Sequence, residues 1–390
     1  MIFSKIFSIK NVGIFVIIFI FCLTDAAIAG QVSLSPSLEI KGEYNDNVLF
    51  WRTDEIDDFI TTITPALTLV YNTELFNIDA GAIIDFLRYH DERDLDEENQ
   101  EYNLDTSCRL TERFTLSGDF SYIKDTTLDS ELNETGIVND RDNRRRYNAG
   151  GKVVYKTTER LDIGCDYKYW KINYDDEDYV DYDRHTVTFP FNYHLQTQRD
   201  ILTILPGYSF RDSDISEISE YKLSFGWSHI FSETFSFKIF AGGRYSDIRY
   251  NDNRDDSDNW RGTTDINFRN IGEKNRASIG YKHDLGTNAN GTDIDIHKIY
   301  CRIDQIVLRR FGIGFDGKLY FTSEEGDEDD DEDSTYYTLT PSLFYRITEH
   351  HTLRLAYSYS RDDDNARRND QVKERHRVWL SLNFNFPQRW

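Results

Sequence analysis

The last strand-like stretch of the chain alternates strictly. From Val378 to Phe386 every even position is apolar (Val378, Leu380, Leu382, Phe384, Phe386), the phase returns at Trp390, and Ser381, Asn383 and Asn385 hold odd positions between them. A period of two puts successive side chains on opposite faces, so this is a strand with one greasy and one wet face. The same alternation opens the chain. Val32, Leu34, Leu38, Ile40 and Tyr44 interleave with Ser33, Ser35, Ser37, Glu39, Lys41 and Glu43.

Between these ends the pattern repeats with a regular punctuation. A second strand (Phe59, Thr61, Ile63, Leu67, Leu69, Tyr71) runs to a tight Asn72-Thr73-Glu74 turn, and a third leaves it with Phe76, Ile78, Ala80, Ala82, Ile84 and Phe86. Further apolar faces are Phe114, Leu116, Phe120, Tyr122 in strand five, Val187, Phe189, Phe191, Tyr193 in strand eight, Tyr221, Leu223, Phe225, Trp227 in strand ten and Phe311, Ile313, Phe315, Leu319, Phe321 in strand fifteen. Tight turns share a vocabulary: Thr111-Glu112-Arg113, Thr158-Glu159-Arg160, Thr197-Gln198-Arg199, Ser232-Glu233-Thr234, Gly272-Glu273-Lys274 and Thr348-Glu349-His350. They alternate with long acidic or Asx-rich loops, among them 45–58, 124–143, 286–293 and 323–334. Short turns on one side and long loops on the other are the asymmetry of outer-membrane barrels. The expected fold is all-β, a transmembrane up-and-down antiparallel barrel of about 18 strands over residues 30–390, with roughly 20 residues per strand and connection. The alternative is a soluble sandwich, whose strands are usually shorter.

Composition fits the barrel. Mean hydropathy is low (−0.63) although the chain holds 25 Tyr, 26 Phe and 6 Trp, as expected where apolar residues occupy one position in two. Lys5 and Lys10 precede the apolar run Val12 to Leu23, and Ala27-Ile28-Ala29 offers a small-x-small cleavage site, so residues 1–29 read as a secretory signal peptide. Phe21 before Cys22 is too large for a lipoprotein cleavage site. The remaining cysteines, Cys108, Cys165 and Cys301, are odd in number and fall in the apolar phase of their strands, which points to lipid-facing residues rather than a disulfide or metal site.

The phase also sorts the charges. Inward positions of strands one to seven carry Glu39, Glu43, Asp79, Asp85, Asp105, Asp119, Asp162 and Asp166 against Lys41, Arg109, Lys152 and Lys168. In the later strands Arg184, Arg211, Lys222, Lys238, Arg244, Arg261, Arg269, Arg276, Lys282, Arg302, Lys318, Arg354 and Arg377 oppose only Asp265, Asp304 and Asp316. An acidic wall facing a larger basic one would set a transverse field across the lumen and favour anions despite the net charge of −24. The competing reading pairs these charges across a plugged interior.

Two loop patterns carry a resemblance. Glu43-Tyr44-Asn45-Asp46-Asn47-Val48-Leu49-Phe50, then Lys124-Asp125-Thr126-Thr127-Leu128-Asp129-Ser130-Glu131-Leu132 continuing to Gly136, with Asp140-Arg141-Asp142 and Arg146-Tyr147, resemble a family of outer-membrane β-barrel proteins often encoded beside exopolysaccharide and exosortase (PEP-CTERM) systems. The resemblance implies an outer-membrane location and a role in export or assembly of surface polysaccharide. It supplies no catalytic residues, and this chain is unusually acidic in its loops.

No GxSxG elbow or HExxH helix occurs, and no glycine pattern stands in a loop opening a helix where it could cradle phosphate, so no catalytic residue, metal ligand or cofactor is assigned. His185, His229 and His283 fall in the outward phase near strand ends, where an interfacial role is expected, and His194 faces inward without an evident partner. The run 324–333 could gather Ca²⁺, but its spacing is not that of an EF-hand and a self-repelling solvated loop explains it. The expected partners are outer-membrane lipid and lipopolysaccharide, the barrel assembly machinery, for which the aromatic C-terminus resembles the signal, and polysaccharide; nothing points to nucleic acid. The expected function is a porin-like conduit or export partner for a hydrophilic solute in the outer membrane of a Gram-negative bacterium. Its rivals are a non-conducting structural barrel and, further off, an outer-membrane enzyme.

Overall fold

A computed structural model describes residues 30–137, 140–195, 199–251, 256–324, 333–364 and 371–389. The expected signal peptide, Trp390 and nearly all of the acidic run 324–333 lie outside them. The described chain is one closed antiparallel sheet of 18 strands. They are β1 (Gln31–Asn45), β2 (Asp58–Asn72), β3 (Phe76–Tyr89), β4 (Glu97–Arg109), β5 (Phe114–Thr126), β6 (Asn143–Lys156), β7 (Leu161–Tyr174), β8 (Tyr182–Thr188, resumed as Phe191–His194), β9 (Asp200–Ser213) and β10 (Ser216–Ile230). The rest are β11 (Phe235–Tyr250), β12 (Ser257–Ile271), β13 (Asn275–Thr287), β14 (Asp293–Ile306), β15 (Phe311–Glu324), β16 (Asp333–Arg346), β17 (His351–Asp364) and β18 (Gln371–Asn385). The break in β8 falls at Pro190, which has no N–H for the ladder. Its neighbours keep the register, since Phe189 N donates to Pro206 O and Gly164 N to Pro190 O, both at 2.9 Å.

The tight turns explain their own vocabulary. Thr111 Oγ1 accepts from the backbone N–H of Arg113 (3.3 Å) and Phe114 (3.1 Å), and Thr158 does the same for Arg160 and Leu161. Thr73, Ser232 and Thr348 repeat the arrangement at their turns. A hydroxyl at the first position satisfies amides that a three-residue turn would otherwise leave without partners.

The ring closes between β1 and β18 over Ser37↔Asn385 to Asn45↔Arg377. Outside this ladder, Asn47 Nδ2 donates to Glu374 O (3.0 Å) and His376 N to Asp46 Oδ1 (2.7 Å), so the loop after β1 latches the seam.

The outward phase is the expected one. Val378, Leu380 and Phe386 of the closing strand are exposed, and Leu382 and Phe384 are half-exposed on the same face. Leu67, Leu69, Leu202, Ile204, Phe225, Ile279, Ile299, Leu343 and Leu355 join them around the ring. In water this would be an apolar surface far beyond the few hundred Å² a soluble monomer carries, so its medium is lipid. Two aromatic belts bound it. The outer one includes Tyr208, Tyr221, Tyr245 and Trp260, opposite one another on four successive strands with ring centroids 5.1–6.4 Å apart. The inner one includes Trp227, Phe231, Phe235, Phe237 and Phe268. From Tyr221 to Phe231 a strand tilted as in such barrels climbs about 25 Å, the height of a bilayer's apolar band. Cys165 is exposed, while Cys108 and Cys301 pair in register with Leu116 and Ile279; all three lie in the outward phase and none forms a disulfide among the described residues.

Candidate functional site: the constricted lumen

Two segments expected as solvated outer loops turn into the barrel. The first follows β5, whose pairing continues to Thr126, and coils through Thr127–Glu131 and Leu132–Thr135. Gly136, at φ 81°, ends the coil in a left-handed conformation, and a Cβ there would lie 2.5 Å from Tyr320 Cβ. Leu128 and Leu132 pack with Phe50, Tyr320 and Tyr336 into a buried apolar cluster. The coil reaches the basic arc of the wall. Lys298 Nζ and the Tyr320 hydroxyl donate to Asn133 O, Lys318 Nζ donates to Asn133 Oδ1 (2.9 Å), and Thr322 Oγ1 to Thr135 O (2.8 Å).

Its base is an ionic knot. Arg144, 2% exposed, lies between Asp125 (3.8 Å), Glu131 (3.7 Å) and Glu134 (3.3 Å), and Arg146 contacts Asp125 (2.7 Å) and Glu134. Two guanidinium groups face three carboxylates, so one negative charge is in excess. Glu131, also bonded by the Tyr174 hydroxyl (3.3 Å), is the most buried of the three, and burial pushes its carboxyl up to about 7 against the pull of Arg144.

The second inward segment is the tip of the β13–β14 hairpin. Asn288 and Ala289 are buried, Ala289 among Ile172, Tyr174, Tyr179 and Tyr182 of β7, β8 and the connection between them, and Val180 N donates to Ala289 O (2.8 Å). Arg211 of β9 holds the tip through Asp293 (2.6 Å), Thr287 and Gly291 O. The segments meet beside Tyr174 of β7, where the Ala289 backbone N–H bonds Glu131.

This inward bend splits the wall. Between β12 and β13 the described ladder runs only from Ile271↔Arg276 to Thr264↔His283, against fourteen pairs between β11 and β12. Ser257–Thr263 therefore have no β13 ladder partners, which is tolerable only where water or lipid headgroups reach. Across the split Arg261 Nη1 contacts Asp295 Oδ2 (3.3 Å). Behind it His283 Nε2 lies 2.7 Å from Asp295 Oδ1, and the His283 and His297 rings stack with centroids 4.0 Å apart.

The phase-sorted charges occupy the following places. Asp79, Asp105 and Asp119 stand opposite one another on β3, β4 and β5, the first two exposed to the lumen. Asp85 accepts from Thr64, Asp166 is opposite Lys152, Asp162 contacts His194 Nε2 (2.9 Å), Glu39 accepts from Asn383 (3.4 Å), and Glu43 is buried beside Lys41 (3.0 Å). On the other arc Lys238, Arg269, Arg276, Lys282 and Arg302 are exposed. Two of these are also paired, Lys282 with Asp284 (3.6 Å) and Arg302 with Asp316 (2.6 Å), as are Lys222 and Arg244 with Asp284 (3.4 and 3.3 Å) and Arg354 with Asp304 (3.5 Å). Arg302, Lys318, Arg354 and Arg377 line a lumenal cavity of about 420 Å³ with Asn133 and Trp379.

Sequence reasoning missed Glu220 and Asp284, which both contact Arg244, because it placed them in or beside loops. Continuing the inward phase two residues past Lys222 and Lys282 would have found them. It also missed the Asp162 partner of His194 and the knot around Arg144, for which no linear signal exists.

The chain is similar to known barrels in two ways. Residues 27–188, less than half of it, match the family model described as "Putative beta-barrel porin 2". Among solved structures it is similar to OccAB3 of Acinetobacter baumannii (11% identity, TM-score 0.48, 92% of this chain and 99% of that one) and to OccK2 (OpdF) of Pseudomonas aeruginosa (9%, 0.48, 91% and 98%). It is also similar to the outer-membrane protein OpdK of Pseudomonas aeruginosa (12%, 0.45, 92% and 99%). No curated protein matches the chain. With its apolar outward band, its two aromatic belts and the porin-type match of its first half, the chain is an outer-membrane β-barrel of porin-like architecture.

Proposed function

We propose that the barrel is a passive conduit for a hydrophilic anionic solute, with acidic saccharides as the class. The observation that carries this reading is the row of water-exposed cations Lys238, Arg269, Arg276, Lys282 and Arg302 on β11 to β14, facing the exposed acids Asp79 and Asp105 across the lumen. Cations on one wall and carboxylates on the other orient a polar solute, and the larger basic arc raises the local concentration of anions. The cavity beneath the first inward segment adds the Trp379 indole to four cationic side chains, a combination suited to a sugar ring bearing a carboxylate. Export of a surface polysaccharide is one use of such a path.

A second reading has its own observation. The two inward segments meet at Glu131 and Ala289, which favours a plugged barrel that anchors surface material and conducts nothing. Planar-bilayer recordings of the purified protein in a salt gradient separate the two. The conduit reading expects a reversal potential of anion preference that moves toward cations when Lys238, Arg276 and Lys282 are together changed to Glu. Cation preference in the unaltered protein would reject the basic wall, and absence of conductance would favour the plug.

A further inference from the structure

We propose that His283, Asp295 and His297 form a binding site for a divalent transition metal of the zinc class, at the outer rim where the wall splits. The one-atom ligands these residues offer all lie within 4.8 Å of one another. Tetrahedral zinc with ligand bonds of about 2.1 Å sets its ligands about 3.4 Å apart, so closure needs shifts of the order of an ångström. Three features prepare the site. His283 and His297 are opposite residues on β13 and β14, and Asp295 is two residues from His297 on the same strand face, so a rigid ladder presents all three. The Tyr281 hydroxyl lies 2.8 Å from His297 Nδ1, which leaves Nε2 as the ligand atom. Arg261 engages Asp295 Oδ2, which leaves Oδ1, the oxygen already beside His283 Nε2, for the metal.

The surroundings fit too. Asp295 is 7% exposed and half-shielded imidazoles flank it; Asp295 and His297 sit in the phase that lower on β14 carries Ile299, Cys301 and Ile303, and His283 in the matching phase of Tyr281 and Ile279 on β13. Two His and one carboxylate suit zinc, nickel or copper rather than calcium, and leave one position open. A bound ion would clip the inward-bent hairpin in place at the split, with Arg261 reaching across to β12.

The test is a titration of the full chain in detergent with Zn²⁺ by calorimetry and with Co²⁺ by visible absorption, in a large excess of Ca²⁺. The calcium occupies the acidic loops, which offer only oxygen ligands. One equivalent should bind, with the Co²⁺ band intensified as in a four-coordinate nitrogen-containing site, and His283→Ala or His297→Ala should each weaken binding at least tenfold. Absence of saturable binding under calcium, or undiminished binding by the double variant, would overturn the site. Should a variant fail to fold, judged by heat-modified mobility on gels, the unaltered protein still decides. Zn²⁺ should protect His283 and His297 from diethylpyrocarbonate modification mapped by mass spectrometry, and equal modification with and without Zn²⁺ would reject the proposal.

Discussion

The two segments that narrow the lumen reach the same place by different physical routes. The coil after β5 is a true loop: it leaves the wall above Thr126, returns at Asn143, and β5 and β6 pair in full beneath it. The β13–β14 tip is wall. To bend inward it takes the upper ends of both strands away from β12, so its docking is gained against lost ladder bonds. Contacts across the lumen must offset that loss, and the buried Arg211 to Asp293 pair and the aromatic nest around Ala289 are where they occur. A loop can be inserted without altering the barrel, whereas a hairpin tip can be inserted only by opening it.

The largest effect is expected where the loop's docking depends on one charge. Arg144→Ala would strip Asp125, Glu131 and Glu134 of the buried cation they share, a loss of about 3–5 kcal/mol when a buried ionic group is broken from one side. The coil should undock while the strands remain, so limited proteolysis should cut within 127–142 and leave heat-modified mobility intact. Loss of the folded barrel itself would mean that loop and wall are not separable.

A smaller effect is expected at the hairpin. Gly291 has φ 76°, and a Cβ there would lie 2.7 Å from Ile215 Cδ1 and 3.0 Å from Val180 Cγ1. Gly291→Ala should weaken docking of the tip by about 1–2 kcal/mol from the left-handed backbone alone, with the clash added. Because the tip is wall, release should let it rejoin β12. Hydrogen exchange of the amides of Ser257–Thr263 should therefore slow, the opposite of a usual destabilising change; faster exchange there would count against the split.

The smallest effect is set by pH. The Glu131 carboxyl is raised to about 7 when docked against an ordinary value of 4.5, so the docked coil binds the proton more tightly than the undocked one. Its contribution to docking is fully present below the ordinary value and is lost as pH rises through about 7. Conductance or proteolysis should report firmer docking at pH 5 than at pH 8, and Glu131→Gln should remove the difference. An unchanged pH dependence in that variant would move the effect to another group.

The wall was legible because one rule governs it. Alternation alone assigned the outward positions of the closing strand, the three lipid-side cysteines and the number of strands, since a residue slipped by one would put charge into lipid. The turns were legible for a similarly local reason, a hydroxyl bonded to amides two or three residues on. What folds inward was not, because 124–143 and 286–293 are mostly polar, as an outer loop is, and Leu128 and Leu132 carry the sign of a buried face. Asn133 and Glu131 satisfy their polar groups with partners far away in sequence, and a linear reading sees only that they are polar. His283 and Asp295 were separated by a loop in the sequence and are brought to bonding distance by the hairpin.

The seam latched by Asp46 and Asn47 bears on how the barrel comes into being. Among the described residues, every ladder outside the seam that β1 forms with the C-terminal end joins strands that follow one another along the chain, but Asn47 and Glu374 are 327 residues apart. Neighbouring hairpins can form as soon as their turns do, whereas the last ladder requires the whole sheet to curl until its ends meet, an ordering cost that grows with the logarithm of the intervening length. Until then the protein is an open sheet with two unsatisfied edges, a template for adding foreign strands. The early loop that reaches over β18 therefore serves as a kinetic clasp: once its bonds to Glu374 and His376 form, reopening must break them along with the ladder below.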